Sequence, residues 1–279
     1  MSDSVQAAYE TTDDYEVRAR THELYSVAEG SYPEWLVAQL PSDGVRAVLD
    51  LGCGTGGILR LIAAAGIGER WAGVDQSQAM VQKAQHLADK AGLSIEFRQG
   101  DILDPPSAGE RFDLICACHM LYHVPDIDAA LARCARFLAP GGTFVATTNS
   151  RDTMNPYDEQ IWSALAERFP RVRHDAAAHV RFSLENGAEF LLPHFDRIEL
   201  RVRRDALRFP SPEPWAAYLK SSRHLAMPTG HTDEEWADVA SMIDDLAREQ
   251  FTGGQLVVPK LAGAFLCTGP SQGPADEAI

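Results

Sequence analysis

Asp50-Leu51-Gly52-Cys53-Gly54-Thr55-Gly56-Gly57 joins the apolar run Ala47 to Leu51 to an amphipathic run from Gly57 to Ala65. The spacing predicts a short strand, a tight turn and a helix. Glycines at such a turn let the backbone bend sharply and bring a ligand close to the main chain and the helix N-terminus. A glycine turn alone also occurs in dinucleotide-binding proteins and in ordinary turns. Here the run is Gly-x-Gly-x-Gly, although Gly52, Gly54 and Gly57 also satisfy the dinucleotide pattern by accident. Asp50 lies two residues before the first glycine. A negative charge there suits a ligand amine or sulfonium and opposes a pyrophosphate.

Outward from this turn, strand and helix patterns alternate, as in a parallel sheet covered on both faces. Trp71 to Asp75 is a second strand. Ser77 caps a helix with Met80, Ala84 and Leu87 on one face. Ile95 and Phe97 mark a third strand. Phe112 to Ala117 is a fourth, nearly all apolar and therefore central. Asp126 caps the next helix, Pro140-Gly141-Gly142 stops it, and Thr143 to Thr148 is a fifth strand. Beyond Asn149 come a helix carrying Tyr157, Ile161, Trp162 and Leu165 and another over Leu184 to Leu192. Ile198, Leu200 and Val202 alternate with charged residues, which predicts a half-exposed strand. Thr232 and Glu235 form a capping box, and Ala262 to Cys267 is the last strand. The expected fold is α/β, with a seven-stranded, mostly parallel sheet, helices on both faces and a helical cap. Expected segments are an N-terminal helical lid (1–41), a ligand-binding core (42–150), cap helices with the last strands of the same domain (151–268) and a flexible tail (269–279).

The 279 residues carry a formal charge of -15, which repels nucleic acid over most of the surface. Hydrophobic residues make up 45%, ordinary for a soluble globular chain, and no run is long enough to span a bilayer. None of the five cysteines shows a zinc spacing, so no metal site and a reducing cytoplasm are expected. Cys116 and Cys118 are expected on opposite faces of a buried strand and not at a metal.

Asp75 ends the second strand, where a carboxylate can accept from both ribose hydroxyls. Asp101 follows the third strand, placed to accept from an adenine amino group. Any one of these acids could simply cap a turn, but three acids at consecutive strand ends beside a glycine turn form a joint pattern. Asp50 to Gly56, Gly73-Val74-Asp75, Gly100-Asp101-Ile102 and Leu138-Ala139-Pro140-Gly141-Gly142 resemble the successive motifs of class I S-adenosylmethionine-dependent methyltransferases. Phe112-Asp113-Leu114-Ile115 through Leu121-Tyr122-His123-Val124-Pro125-Asp126 is similar to the small-molecule branch that includes the ubiquinone and menaquinone biosynthesis enzymes. The resemblance covers about residues 45 to 150 and implies a Rossmann-like core. It also implies that Asp50, Gly52, Cys53, Gly54 and Gly56 hold the methionine part, Asp75 the ribose, and Asp101 and Ile102 the adenine. Gln76 stands where the family often has an apolar residue, so its amide or Met80 would cover the ring. Arg18, His22, Tyr25 and Ser26 resemble a helix of some relatives that closes over the cofactor.

The reacting centre is expected beyond the fourth strand, at Cys118-His119-Met120-Leu121-Tyr122-His123. His119, Tyr122 and His123 are the candidates for acceptor contact or proton acceptance, and a loop-holding role for His123 is the simpler one. Arg171, Arg173, His174, His179 and Arg181 fit either a pocket for an anionic substrate or a solvated surface balancing nearby acids. The second is the simpler account. Tyr157, Trp162, Trp215 and Tyr218 have the spacing of core residues. Base-modifying enzymes carry a polar residue, two prolines and an aromatic after the fourth strand, and Cys118-His119-Met120 lacks them. Asp104-Pro105-Pro106-Ser107 comes too early for that role and Asn155-Pro156-Tyr157 too late. The expected activity is methyl transfer to an oxygen, nitrogen or carbon of a small molecule, by a monomer or homodimer. The alternatives are a non-catalytic S-adenosylmethionine-binding regulator and, against the charge of Asp50, a nicotinamide-dependent oxidoreductase.

Overall fold

Val48, Leu49 and Leu51 are buried because β1 (Ala47–Leu51) runs through the middle of a sheet covered on both sides. The computed structural model describes residues 12–103, 110–172, 181–251 and 253–270. Its other strands are β2 (Arg70–Asp75), β3 (Glu96–Gln99), β4 (Phe112–Cys118), β5 (Leu138–Asn149), β6 (Phe195–Phe209) and β7 (Leu256–Pro270). They form a 7-stranded sheet in the order β3-β2-β1-β4-β5-β7-β6. The first five are parallel, and β7 pairs antiparallel with both β5 and β6. Asp113 Oδ2 ties β4 to the start of β1 by accepting from Arg46 N and Ala47 N, each at 2.9 Å. The strand order reverses between β1 and β4, so a crevice opens at their carboxyl ends.

The helices are α1 (Asp13–Tyr25), α2 (Tyr32–Val37), α3 (Gly57–Ala64), α4 (Gln78–Lys90), α5 (Ile127–Phe137), α6 (Tyr157–Arg168), α7 (Gly187–Leu191), α8 (Pro212–Lys220), α9 (Arg223–Ala226) and α10 (Asp233–Glu249). On one face Leu36, Leu59, Ile62, Val81 and Ala84 pack on Val48, Leu114, Cys116 and Val145. On the other, Leu131, Cys134 and Leu191 pack on Leu49, Leu51, Ile115, Phe144 and Phe265. A third cluster joins Trp162, Leu165, Trp215, Leu219 and Ile243 of the cap to Leu207, Phe209 and Val258 of the long last strands. Tyr157 and Tyr218 pack against it, so the cap aromatics serve as core. Cap and sheet thus share strands: the residues after 150 finish the same sheet. All five cysteines are free, and Cys116 and Cys118 do not face opposite sides of β4 as expected: residues two apart on a strand share a face, and both pack on the side of Val48 and Leu114.

Several boundaries differ from the sequence pattern. β5 begins at Leu138, directly after α5, with an irregular register opposite Phe112 and Leu114. A Cβ at Gly142 would sit 3.0 Å from the carbonyls of Ala139 and Asp113, so glycine lets the strand pass this point. The helix expected over 184–192 is confined to α7, because Asn186 Oδ1 accepts from Ser183 N at 2.7 Å and holds a turn there. The simple alternation of β6 fails. Ile198 packs inward, but Leu200 and Val202 are 41% and 43% exposed while Arg203 is 8% exposed. Short α7 covers only the first part of that face, and α1 with α8 covers the opposite face further along. Residues 173–180, 104–109 and 271–279 lie outside the described residues, and with them Arg173, His174, His179 and most of the expected tail; its first two residues, Gly269 and Pro270, are not a tail but the end of β7, paired with β6.

The caps match their sequence signatures. Ser77 Oγ accepts from Met80 N at 3.3 Å and Asp126 Oδ1 from Ala129 N at 2.9 Å. Thr232 Oγ1 accepts from Glu235 N at 3.1 Å while Glu235 Oε2 accepts from Thr232 N at 2.9 Å. Replacing Thr232 with Ala should lower unfolding stability by about 1 kcal/mol, read as a shifted urea midpoint with unchanged slope. An unshifted midpoint would show that this box does not stabilise α10.

Candidate active site

The glycine turn between β1 and α3 has left-handed φ at Gly52, Gly54 and Gly56, of 65°, 54° and 72°. A Cβ on Gly52 would lie 2.9 Å from the Met120 side chain, and one on Gly56 would lie 2.7 Å from the Phe97 ring. Gly54 faces α1, where a Cβ would find the Tyr15 hydroxyl at 4.0 Å. Cys53 N donates to Val74 O at 3.0 Å, tying the turn to β2.

Three carboxylates follow at successive strand ends. Asp50 is 1% exposed, and its Oδ1 has no hydrogen-bond partner. Burial, with the nearby charge of Asp75, pushes its pKa up to about 8. Asp75 Oδ2 accepts from Gly54 N at 2.8 Å and Oδ1 from Ser77 N at 2.9 Å. Burial raises its pKa, and those amides restrain the rise. Asp101 Oδ1 accepts from Leu103 N at 2.8 Å, and Oδ2 accepts from the Gln76 amide. Gln76 therefore has a use that an apolar residue would not: it holds the third carboxylate. Met80 and Ile102 are buried nearby in sequence, at 1% and 6% exposure. A glycine cradle, a buried carboxylate lacking a donor and a second carboxylate one strand along fit S-adenosylmethionine. Asp50 and the turn would hold its amino acid part and Asp75 its ribose.

His119, just beyond β4, has a left-handed φ of 52°, uncommon for a residue with a side chain. Its N–H donates to both Thr147 O (3.0 Å) and Thr147 Oγ1 (3.1 Å), which holds it there. Its Nε2 lies 2.9 Å from the Tyr32 hydroxyl. Burial, then the charge of Lys260, lowers its pKa to about 3, so the ring is neutral at physiological pH. Tyr122 and His123 share one helical turn, Leu121–His123, with ring centroids 4.5 Å apart. Burial, then Arg18 and Arg181, lowers His123 to about 4. Arg181 Nη2 donates to the carbonyls of Val124 and Pro125, each at 3.0 Å, and so fastens this loop. Arg171 instead pairs with Glu235 on the exposed surface. The described members of the basic cluster are thus not gathered into an anion pocket; each has a structural partner.

Helix α1 lies over the crevice. Glu16 pairs with Lys83 of α4 at 2.9 Å, and Arg18 Nη1 donates to Ser221 O at 2.5 Å. Tyr25 packs on Phe209 at 5.1 Å between centroids, in the cap cluster, and Ser26 Oγ donates to Asp205 at 2.7 Å. Of this helix, it is Tyr15 that the structure brings to the glycine turn. Sequence reasoning also missed the roles of Tyr32, Thr147 and Lys260. Lys260 Nζ lies 3.2 Å from His22 Nδ1 and 5.6 Å above the Tyr32 ring. A separate groove of about 340 Å³ lined by Leu40, Thr143, Arg197 and Arg201 lies by the amino end of β5, at the opposite sheet edge from this chemistry. Among the described residues, no group of three His, Cys, Asp or Glu side chains is placed to hold a metal, and no helix is long and apolar enough to cross a membrane.

Residues 48–142 match the family described as a methyltransferase domain. A ubiquinone biosynthesis O-methyltransferase of Azorhizobium caulinodans is 37% identical over 111 residues, which cover 40% of this chain and 43% of that protein. The chain thus spans about half the length of the curated relatives it matches. A putative methyltransferase from Bacillus halodurans shares the fold, with a TM-score of 0.55 and 19% identity over 85% of this chain and 97% of the other. The cyclase SpnF does so with a TM-score of 0.57 and 18% identity over 95% and 94% of the two chains. The architecture is therefore the Rossmann-like methyltransferase fold.

The state of Asp50 has a measurable consequence. With a folded pKa of about 8 against the ordinary 3.8, the native state keeps a proton that the unfolded state has lost. Stability of the cofactor-free protein therefore falls as pH rises through that window. Asp50→Asn should remove this slope and be more stable than the parent at pH 8 and above, by roughly 1–3 kcal/mol. Parallel stability profiles for the two proteins in denaturant melts would overturn the assignment.

Proposed function

We propose that this chain transfers a methyl group from S-adenosylmethionine to a small-molecule acceptor, through an oxygen, nitrogen or carbon nucleophile. The observation that carries this is the buried, unpartnered Asp50 Oδ1 beside a glycine turn, with Asp75 at the end of the next strand. When bound, S-adenosylmethionine supplies an electrophilic methyl group on a positively charged sulfur. Asp50 supplies negative charge, the bare turn lets the ligand approach the backbone, and Asp75 accepts from hydroxyls. Methyl transfer is an in-line displacement, so alignment and exclusion of water are the protein's main tasks. Residues 12–41 act as the described part of the lid, and the described residues of 151–268 supply the cap helices that enclose the acceptor and the last strands of the same sheet. His119, Tyr122 and His123 border the acceptor. As a neutral ring, His119 orients rather than attracts. The names of the curated relatives favour an oxygen acceptor. Five free thiols suit a reducing cytoplasm.

A second use is favoured by one observation: the same fold carries SpnF, which is named a cyclase. Calorimetric titration with S-adenosylmethionine, with NAD in parallel, tests the cofactor. Binding should be saturable, absent for NAD, and weakened at least tenfold by Asp75→Ala, about 1.4 kcal/mol or more. Release of S-adenosylhomocysteine across a panel of acceptors then separates methyl transfer from mere binding. No binding by protein freed of co-purified cofactor would remove the proposal.

A further inference from the structure

Opposite His119, the crevice has a second wall that the cofactor does not account for. Lys260 lies on β7 and pairs in register with Asp205 of β6. Its ammonium lies 3.2 Å from His22 Nδ1 of α1 and 5.6 Å from the Tyr32 ring centroid. The Tyr32 hydroxyl in turn meets His119 Nε2 at 2.9 Å. Lys260, His22, Tyr32 and His119 all keep partial exposure, so they line a solvent-reached crevice and not a sealed core.

The charges on this wall do not balance. His22 is neutral, its pKa lowered to about 3 by burial, then by Lys260 and His119. The ammonium therefore donates to an uncharged imidazole. The nearby acid, Asp205, is already used: it accepts from Ser26 Oγ (2.7 Å), Val27 N (3.2 Å), Ala28 N (3.0 Å) and Ala206 N (2.7 Å). Arg203 adds positive charge. Its Nη2 donates to the carbonyls of Glu29 and Gly30, at 3.2 and 2.6 Å, and its buried Nε has no partner. Arg18 faces the same region from α1 and lowers the pKa of His22 and of His123. Among the described residues, Lys260 has no carboxylate in ion-pair contact. In a chain of net charge -15, a half-buried ammonium paired only with a neutral ring is a place built for an anion from outside.

We propose that Lys260, positioned by His22 and Tyr32, holds an anionic oxygen of the methyl acceptor, either a carboxylate or an ionised hydroxyl. This rests on the acceptor site described above and names the chemical class it takes. The ammonium gives the anion a charge-assisted hydrogen bond, while the Tyr32–His119 contact links that anchor to the reacting side of the crevice. Burial, opposed by Asp205 and reinforced by Arg203, lowers the Lys260 pKa to about 8. The site is charged below that pH and loses its charge above it.

The test uses the full chain saturated with S-adenosylhomocysteine and three probes: benzoate, 4-nitrophenol and the neutral benzamide. Ligand-observed NMR gives their affinities, and absorbance gives the ionisation of bound nitrophenol. Benzoate should bind at least tenfold more tightly than benzamide well below pH 8, and the preference should disappear well above it. Lys260→Met should abolish the preference and leave benzamide binding unchanged, and Lys260→Arg should restore it. Bound nitrophenol should ionise at lower pH than in water, and in Lys260→Met it should not. A preference for benzoate with no nitrophenol shift would assign a carboxylate, and the reverse an ionised hydroxyl. Equal binding of benzoate and benzamide by the parent, together with an unshifted nitrophenol ionisation, would overturn the proposal. So would a preference that survives in Lys260→Met. Should that variant fail to fold, the pH dependence of the parent alone decides. Binding of S-adenosylhomocysteine, measured first, separates failure of this anchor from failure of the cofactor assignment.

Discussion

A carboxylate in the middle of a sheet, nearly inaccessible and short of a hydrogen-bond donor, is a costly thing to keep. Each unmet buried polar group costs about 1–3 kcal/mol, and more when charged. Asp50 sits at the end of β1 with strands on both sides and a helical layer above and below, so it cannot turn out to water. Its environment leaves two stable states: protonated and neutral, or ionised against a cation brought from outside. Much of the site can be understood as what makes the second state attainable. Gly52 and Gly56 leave room for Met120 and Phe97, which a Cβ there would meet at 2.9 and 2.7 Å, so the turn can pass close to both side chains. Asp75 is kept nearer ionised by two amides, one of them from the same turn, and adds to the negative field.

The opposite side of the crevice has the reverse electrostatics. β6 and β7 run on past the parallel part of the sheet and carry the cap on their far ends, through Leu207, Phe209 and Val258. That extension brings Lys260 against α1 and α2 and Arg203 against the turn between them, over the carboxyl edge. The crevice thus has an acidic floor toward β1 and β2 and a basic wall toward β7. A cationic sulfonium and an anionic acceptor would be drawn to opposite ends and meet between them, near His119. Neutral histidine suits that middle position, since a charge of either sign there would repel one of the two.

The core was legible because its signals are local. Caps at Ser77 and Asp126, the Gly-x-Gly-x-Gly turn and three strand-end acids are each fixed by residues a few positions apart, and the structure places them as the pattern implies. What was not legible depends on contacts far apart in the chain. Leu200 and Val202 alternate like an inward face, yet nothing in their own stretch tells that α7 is too short to cover them. The Arg-rich stretch left an anion pocket and a solvated surface both open, the second being simpler, and only the fold shows Arg181 used on the loop after β4 and Arg171 on the cap of α10. Lys260 gave no signal at all. It is a lone lysine before an apolar run, and its meaning comes from His22, 238 positions away.

The N-terminal helix joins the two halves of this account. It touches the cofactor side through Tyr15 and Glu16, and the acceptor side through Arg18 and His22. These contacts sit on successive turns of one short helix, so they form or break together. Its polar anchors are few and partly exposed, each worth little alone. An anion on Lys260 would strengthen its grip on His22's side by neutralising the repulsion between Lys260 and Arg203. On the proposed reading, the charge that selects the acceptor would thus also tighten the contacts of the helix that covers it.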